Sequence, residues 1–164
     1  MNPERRKRYA TRLLWVIGAI AVLIALSPGL LYLTGLALLP AFPQSQTIVS
    51  TLDESAQEQW ATFSGNRLGY GEPMRMIQID PWSYAYHNIV RCRNLGEGSA
   101  AIHACVYYFP GYMAAFTVAA VHLHFSTMAS SASFLDELRL TALSIWVTRN
   151  WSPQQVAVYL AEHK

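Results

Sequence analysis

The sequence predicts an all-α protein in which one N-terminal transmembrane helix precedes a small helical domain. The stretch from Leu13 to Leu39 contains no Asp, Glu, Lys or Arg, and about 20 apolar helical residues cross the ~30 Å hydrocarbon layer of a bilayer. The rest of the chain shows helix-start signals and helical apolar spacing without strand-like alternation. We therefore divide the chain into a basic tail (1–12), an anchor (13–39), a linker (40–50) and an all-α domain (51–164).

The tail before the anchor is basic, and this predicts the orientation of the anchor. It holds five Lys or Arg residues and a single Glu. By the positive-inside rule such a cluster stays in the cytoplasm, so residues after Pro40 are expected on the far side of the membrane. A signal peptide cleaved at Ala25-Leu26-Ser27 is the alternative, but the apolar region of a signal peptide has only ~7 to 15 residues. A kink is expected near Pro28, because proline lacks an amide N–H.

The predicted domain is weakly acidic. Beyond residue 39 the sequence has seven Lys or Arg residues and nine Asp or Glu residues, so the net charge of +2 comes from the tail. Nucleic-acid binding needs a basic face, and we therefore exclude that class of partner. Cys92 and Cys105 could form a disulfide in an oxidising compartment if the chain turns back between them; two buried thiols are the alternative.

Helix-start signals place the first elements of the domain. Thr51 to Glu54 fits a capping box and predicts a helix at about 52–63. The glycine-rich segment 64–80 is expected to be irregular, either as a site loop or as a connector. Asp80, followed by a proline, is a typical N-cap and predicts a helix at about 81–93.

The second half of the domain begins with an uncharged segment, Ser99 to Phe134. Pro110-Gly111 splits this segment, so we expect two buried helices, with a second membrane crossing at 104–121 as the alternative. Two further cap signals follow. Ser133 to Asp136 predicts a helix at about 134–149, and Ser152 to Gln155 predicts a last helix at 153–162.

The sequence predicts no metal site and no cofactor. His103, His122 and His124 are the candidate metal ligands. On a helix the side chains of His122 and His124 point about 200° apart, so they cannot bind the same ion. An alternative places His122 and His124 at headgroup level beside Tyr112 and other aromatic residues. The sequence also lacks a Ser-His-Asp pattern, a phosphate-binding Gly-rich loop and a Cys ligand pair.

Two fragments resemble the peptidoglycan glycosyltransferases of family 51, which are membrane-anchored enzymes that polymerise lipid II on a lysozyme-like helical domain. The first fragment is Ile79-Asp80-Pro81-Trp82, and the second is LRLTALSIWVTRNWSPQQVAVYLA, from Leu138 to Ala161. Together they cover under a third of the predicted domain. The resemblance implies a lysozyme-like domain on the periplasmic side of a bacterial inner membrane.

The catalytic positions of that family are not kept in this sequence. At the family's spacing its two catalytic glutamates fall on Gly69 and Leu140, and a motif histidine falls on Met76. Glycan transfer needs a carboxylate that deprotonates the acceptor and positive groups that hold the diphosphate. The resemblance therefore implies a scaffold that has lost the chemistry.

The expected function is that of a membrane-anchored periplasmic binding or accessory protein of the cell envelope. Its expected partners are the inner membrane together with lipid II, peptidoglycan or another envelope protein. One alternative is an active glycan enzyme with a shifted carboxylate, Glu72 or Asp80, although a loop Glu and an N-cap Asp explain these residues more simply. Another alternative is a two-span subunit of a membrane complex. The candidate binding residues are Trp82, Arg91, Arg93 and Arg149.

Overall fold

The computed structural model describes residues 3–44, 53–63, 74–90, 109–124 and 133–163, with side chains from Arg12 onward. These residues form six helices and no strand. The helices are α1 (Pro3–Ala37), α2 (Glu54–Phe63), α3 (Pro81–Val90), α4 (Tyr112–His122), α5 (Phe134–Asn150) and α6 (Pro153–Glu162). The predicted all-α class with a long apolar N-terminal helix is confirmed.

Helix α1 is long and apolar enough to span a membrane from Arg12 to Ala37, and it is the one such helix in the described parts of the chain. It continues through Pro28 as one helix. The proline supplies no N–H to the carbonyl of Ile24, and the hydroxyl of Ser27 donates to that carbonyl at 2.8 Å instead. Serine commonly satisfies freed carbonyls in this way in membrane helices.

The core of the domain lies where α4 packs against α5, with α6 and α2 beside them. Ala114, Ala115, Val118 and Ala119 of α4 are completely buried. Small side chains allow α4 and α5 to approach closely, which places α4 inside the domain. The prediction of a buried helix after Pro110-Gly111 agrees with this arrangement.

Two alternatives from the sequence do not fit the described residues around α4. In the described part of the proposed crossing, residues 109–111 make a turn in which Gly111 has a φ of 78°, so no continuous helix runs through them. Tyr112 is only 2% exposed and belongs to the core, so it does not lie in a headgroup-level aromatic fringe. The sequence left the position of Tyr112 open, because an aromatic residue next to a Pro-Gly turn also suits a membrane interface.

The helix starts follow the predicted caps closely. Asp80 accepts hydrogen bonds from the amides of Trp82 and Ser83 at 3.0 and 2.9 Å, as expected of an N-cap. Helix α2 begins two residues later than predicted, and Asp53 caps it by accepting from the amide of Ala56 at 2.8 Å. The proposed Thr51 cap lies outside the described residues.

Both C-terminal helices begin with the predicted reciprocal caps. The hydroxyl of Ser133 accepts from the amide of Asp136 at 3.2 Å, and the Asp136 carboxylate accepts from the Ser133 amide at 3.3 Å. In α6 the hydroxyl of Ser152 accepts from the amide of Gln155 at 3.2 Å, and the Gln155 side chain accepts in return at 2.8 Å. Helix α6 has the predicted bounds.

Candidate functional site

The second half of α1 packs directly against the domain, and Gly35 lies at a close contact. A Cβ atom at this position would lie 2.5 Å from the Cβ of Ala142 and 2.8 Å from the carbonyl oxygen of Leu138. Only glycine therefore fits between α1 and α5 in this arrangement. The rings of Phe42 and Trp146, 4.8 Å apart, continue the contact beyond the end of α1.

Helix α3 packs against α1 at positions one to three turns before Gly35. The indole nitrogen of Trp82 donates to the carbonyl oxygen of Ala25 at 2.8 Å. A Cβ atom at Gly29 would lie 2.8 Å from the Trp82 ring, so the absence of a side chain there lets the ring lie on the helix surface. The anchor is thus a structural part of the fold and not a separate tether.

A groove of about 250 Å³ lies between α1, α3 and α5. Drug-sized pockets occupy about 300 to 1,000 Å³, so this groove suits a segment of a ligand and not a whole one. Most of its lining is hydrocarbon, and the polar groups are the hydroxyls of two tyrosines and a threonine and one carboxylate. The lining residues are Pro28, Leu31, Tyr32, Pro81, Tyr84, Ala85, Phe134, Glu137, Leu138, Thr141, Ala142 and Ile145.

The wall behind the groove is aromatic and uncharged. The rings of Tyr84 and Tyr112 are 5.5 Å apart, and Phe116 lies 6.3 Å beyond Tyr112. Burial raises the pKa of the Tyr112 phenol well above its ordinary value, so this side chain remains neutral. An apolar wall of this kind favours a hydrocarbon occupant over a charged one.

A positive charge lies one turn beyond the apolar groove. Ile145 lines the groove, and Arg149 follows it at i+4, which places both residues on the same side of α5. The Arg149 side chain is exposed. The arrangement therefore combines a mostly apolar groove, in which Glu137 is the acidic lining residue, with a cation near one end.

Of the other predicted site residues, Asp80 and Trp82 are described. Both the side chain and the amide of Ser83 donate to the Asp80 carboxylate, and these hydrogen bonds lower its pKa. An ionised, hydrogen-bonded Asp80 suits the N-cap role. Trp82 is half exposed beside α1. The remaining candidates, Glu72, Arg91, Cys92, Arg93 and Cys105, lie outside the described residues.

The family 51 positions and the histidines are described in part. Leu140, at the second glutamate position, is a core residue with 4% exposure. His122 lies with its Nε2 atom 3.1 Å from the carbonyl oxygen of Ala41. Among the described residues no group of three His, Cys, Asp or Glu side chains could hold a metal ion.

Sequence reasoning missed the groove because it treated the anchor and the domain as independent. The available signal was the pair of glycines in the second half of the anchor, Gly29 and Gly35, which permits close helix packing.

Comparison of the chain with models of protein families, with curated proteins and with solved structures finds no match. The resemblance to the family 51 glycosyltransferases therefore stays a prediction.

Proposed function

We propose that this protein is a single-pass protein of a bacterial inner membrane that binds an amphiphilic, lipid-linked ligand in its periplasmic domain. The groove would hold part of the lipid chain, and Arg149 would bind a phosphate of the head. The observation that carries the proposal is the position of the groove, since one wall belongs to the anchor and the other to the domain. Lipid II has the required chemistry: a hydrocarbon chain, a diphosphate and a glycan.

The packing of α1 supports a retained anchor. A signal-peptide cut at Ala25-Leu26-Ser27 would remove the carbonyl that accepts the Trp82 hydrogen bond. It would also leave the residues around Gly35 as a short helix attached to α5. The proposed orientation, with a cytoplasmic N-terminus, follows from the basic tail alone.

Two features favour binding over turnover. Leu140 cannot replace a catalytic glutamate, because it has no titratable group and is buried in the core. The Asp80 carboxylate is engaged as a helix cap, because the amides of Trp82 and Ser83 and the Ser83 hydroxyl donate to the oxygens that a general base would need free to accept a proton. We therefore propose an accessory protein that presents or senses its ligand, with another envelope protein as a further partner.

The test is a titration of the full-length protein in nanodiscs with lipid II. Thr141→Phe fills the groove and is expected to weaken binding at least about tenfold, or ~1.4 kcal/mol. Arg149→Gln is expected to weaken binding by a smaller factor, because an exposed charge is screened by solvent. Thr62→Phe, an exposed helical threonine on α2, is the matched control and should bind as the unmodified protein does. Unchanged binding by the Thr141 variant would remove the groove from the function.

A lipid II polymerisation assay distinguishes the proposal from the enzyme alternative. A binder yields no glycan product with the unmodified chain or with Glu72→Gln or Asp80→Asn. Product from the unmodified chain that disappears in either variant would establish an active enzyme with a shifted carboxylate.

A further inference from the structure

The outward side of α3 carries a row of exposed apolar side chains. Trp82, Tyr86, Ile89 and Val90 are 49%, 66%, 64% and 40% exposed, and their spacing places them on one side of the helix. Helix α3 itself contains no Asp, Glu, Lys or Arg. We call these four residues the outer face of α3. Across the groove, Phe134 at the start of α5 is also 68% exposed.

The depth of this face follows from its contact with α1. The basic tail ends at Arg12, and the 12 steps of 1.5 Å from Leu13 raise Ala25 by about 18 Å along the helix axis. A bilayer's hydrocarbon layer is ~30 Å thick, so Ala25 lies about 12 Å below its far boundary. The Arg12 side chain can extend toward the headgroups, so the membrane span could start one turn earlier than Leu13. In that case Ala25 lies about 6 Å below the far boundary of the hydrocarbon layer. A tilt of α1 only increases this depth.

Trp82 shares the depth of Ala25, because its indole donates to the carbonyl of that residue. The hydrogen bond satisfies the polar end of the indole and leaves the exposed part of the ring apolar, as for tryptophan at a membrane interface. Asp80, at the start of α3, has hydrogen bonds from Ser83 and from the Trp82 amide that compensate its carboxylate. Interfacial helices typically bury their apolar side ~5–10 Å into the boundary of the acyl chains.

We infer that the outer face of α3 is a second membrane contact, inserted into the leaflet from which the domain emerges. The lipid bilayer is the occupant, because lipid surrounds α1 at the height where α3 packs on it. The domain is therefore partly immersed beside its anchor, and the groove would open at the level of the acyl chains. This inference depends on the anchor part of the proposed function and not on ligand binding in the groove.

The test is photo-crosslinking in vesicles of phosphatidylethanolamine and phosphatidylglycerol. The full chain carries p-benzoylphenylalanine at one position, and mass spectrometry detects lipid adducts after irradiation. The positions are Val22 in α1, Tyr86 on the outer face, and Thr62 on α2, all of them exposed. Helix α2 packs mainly against α6 and α4.

We expect a lipid adduct at Tyr86 with a yield comparable to that at Val22 and several times that at Thr62. Ile89→p-benzoylphenylalanine, on the same face, should repeat the result for Tyr86. Adducts at Val22 but not at Tyr86 or Ile89 would overturn the immersion of α3 and leave the anchor intact. A protein–protein adduct at these two positions, in place of a lipid adduct, would overturn it as well. The absence of an adduct at Val22 would overturn the anchor and the proposed function together.

Discussion

The side chain of Trp82 is hydrogen-bonded to the backbone of Ala25, a residue 57 positions earlier in the chain, at 2.8 Å. Ala25 lies in the middle of the apolar helix, and Trp82 lies in the first turn of a domain helix. The contact requires Gly29, since any side chain there would collide with the indole ring. The two residues therefore fix the position of α3 along α1.

Replacing Gly35 with alanine is expected to disturb the packing of α1 on α5. The added methyl group would meet the Cβ of Ala142 at 2.5 Å and a backbone carbonyl at 2.8 Å, and a backbone atom cannot move aside as a side chain can. Overpacking of this kind costs about 1–3 kcal/mol. Thermal unfolding of the full chain in detergent micelles measures the loss.

Gly18→Ala is the matched control for that substitution. It lies in the same helix and has no atom within 4 Å of an added Cβ. Alanine at this site should leave stability unchanged or raise it by up to ~1 kcal/mol, because alanine favours the helix over glycine. Equal destabilisation by both substitutions would contradict the close packing at Gly35.

Trp82→Phe measures the contribution of the indole hydrogen bond separately from that of ring packing. Phenylalanine keeps an aromatic ring beside Gly29 but has no N–H to donate to Ala25. The expected loss is about 1 kcal/mol, the net value of a typical hydrogen bond. Chemical unfolding in micelles, followed by far-UV circular dichroism, gives the difference. A variant as stable as the unmodified chain would show that this hydrogen bond contributes nothing.

Asp80→Ala should destabilise the domain by about 1 kcal/mol at neutral pH, because α3 loses its N-cap. Hydrogen bonds from Ser83 lower the pKa of Asp80 below its ordinary 3.8. A lowered pKa in the folded state gives stability that is present above the ordinary pKa and disappears as the pH falls through the folded one. The difference between the two proteins should therefore shrink in acid.

Asp80→Asn is the control for the charge, since its side-chain oxygen can still accept from the Trp82 and Ser83 amides. We expect the stability of this variant to be close to that of the unmodified chain at neutral pH. Its stability should lack the pH dependence that the Asp80 carboxylate contributes. Melting temperatures measured across the acid range test both statements. A difference between Asp80→Ala and the unmodified chain that stays constant with pH would contradict them.

Leu140→Glu should unfold the domain and confer no glycosyltransferase activity. The position is 4% exposed within the core, and a buried unpaired carboxylate is costly. Leu140→Ala is expected to cost about 2–5 kcal/mol by leaving a cavity. Ile77→Glu, at an apolar residue that is 49% exposed, is the control and should leave the fold intact. A folded Leu140→Glu chain that polymerises lipid II would contradict the placement of Leu140 in the core.

Local sequence signals predicted most of the secondary structure. The caps at Asp80, Ser133 and Ser152 were predicted because each needs only a side-chain oxygen and amides within three residues. The start of α2 was placed two residues early, because both Thr51 and Asp53 can cap a helix and the sequence does not choose between them. The sequence predicted that α4 is a buried helix but also allowed a second membrane crossing in the same segment. The packing of α4 against α5 favours the buried helix.

The sequence by itself determined the long apolar helix, the basic tail that predicts its orientation, and the helical starts, because these depend on composition and short spacing. Only the tertiary structure decided that the anchor is a wall of the candidate site. The contacts of Ala25 with Trp82 and of Gly35 with Ala142 join residues far apart in the chain, and no local pattern specifies such pairs. The burial of Leu140 and Tyr112 has the same cause, since the exposure of an apolar or aromatic residue depends on which helices pack around it.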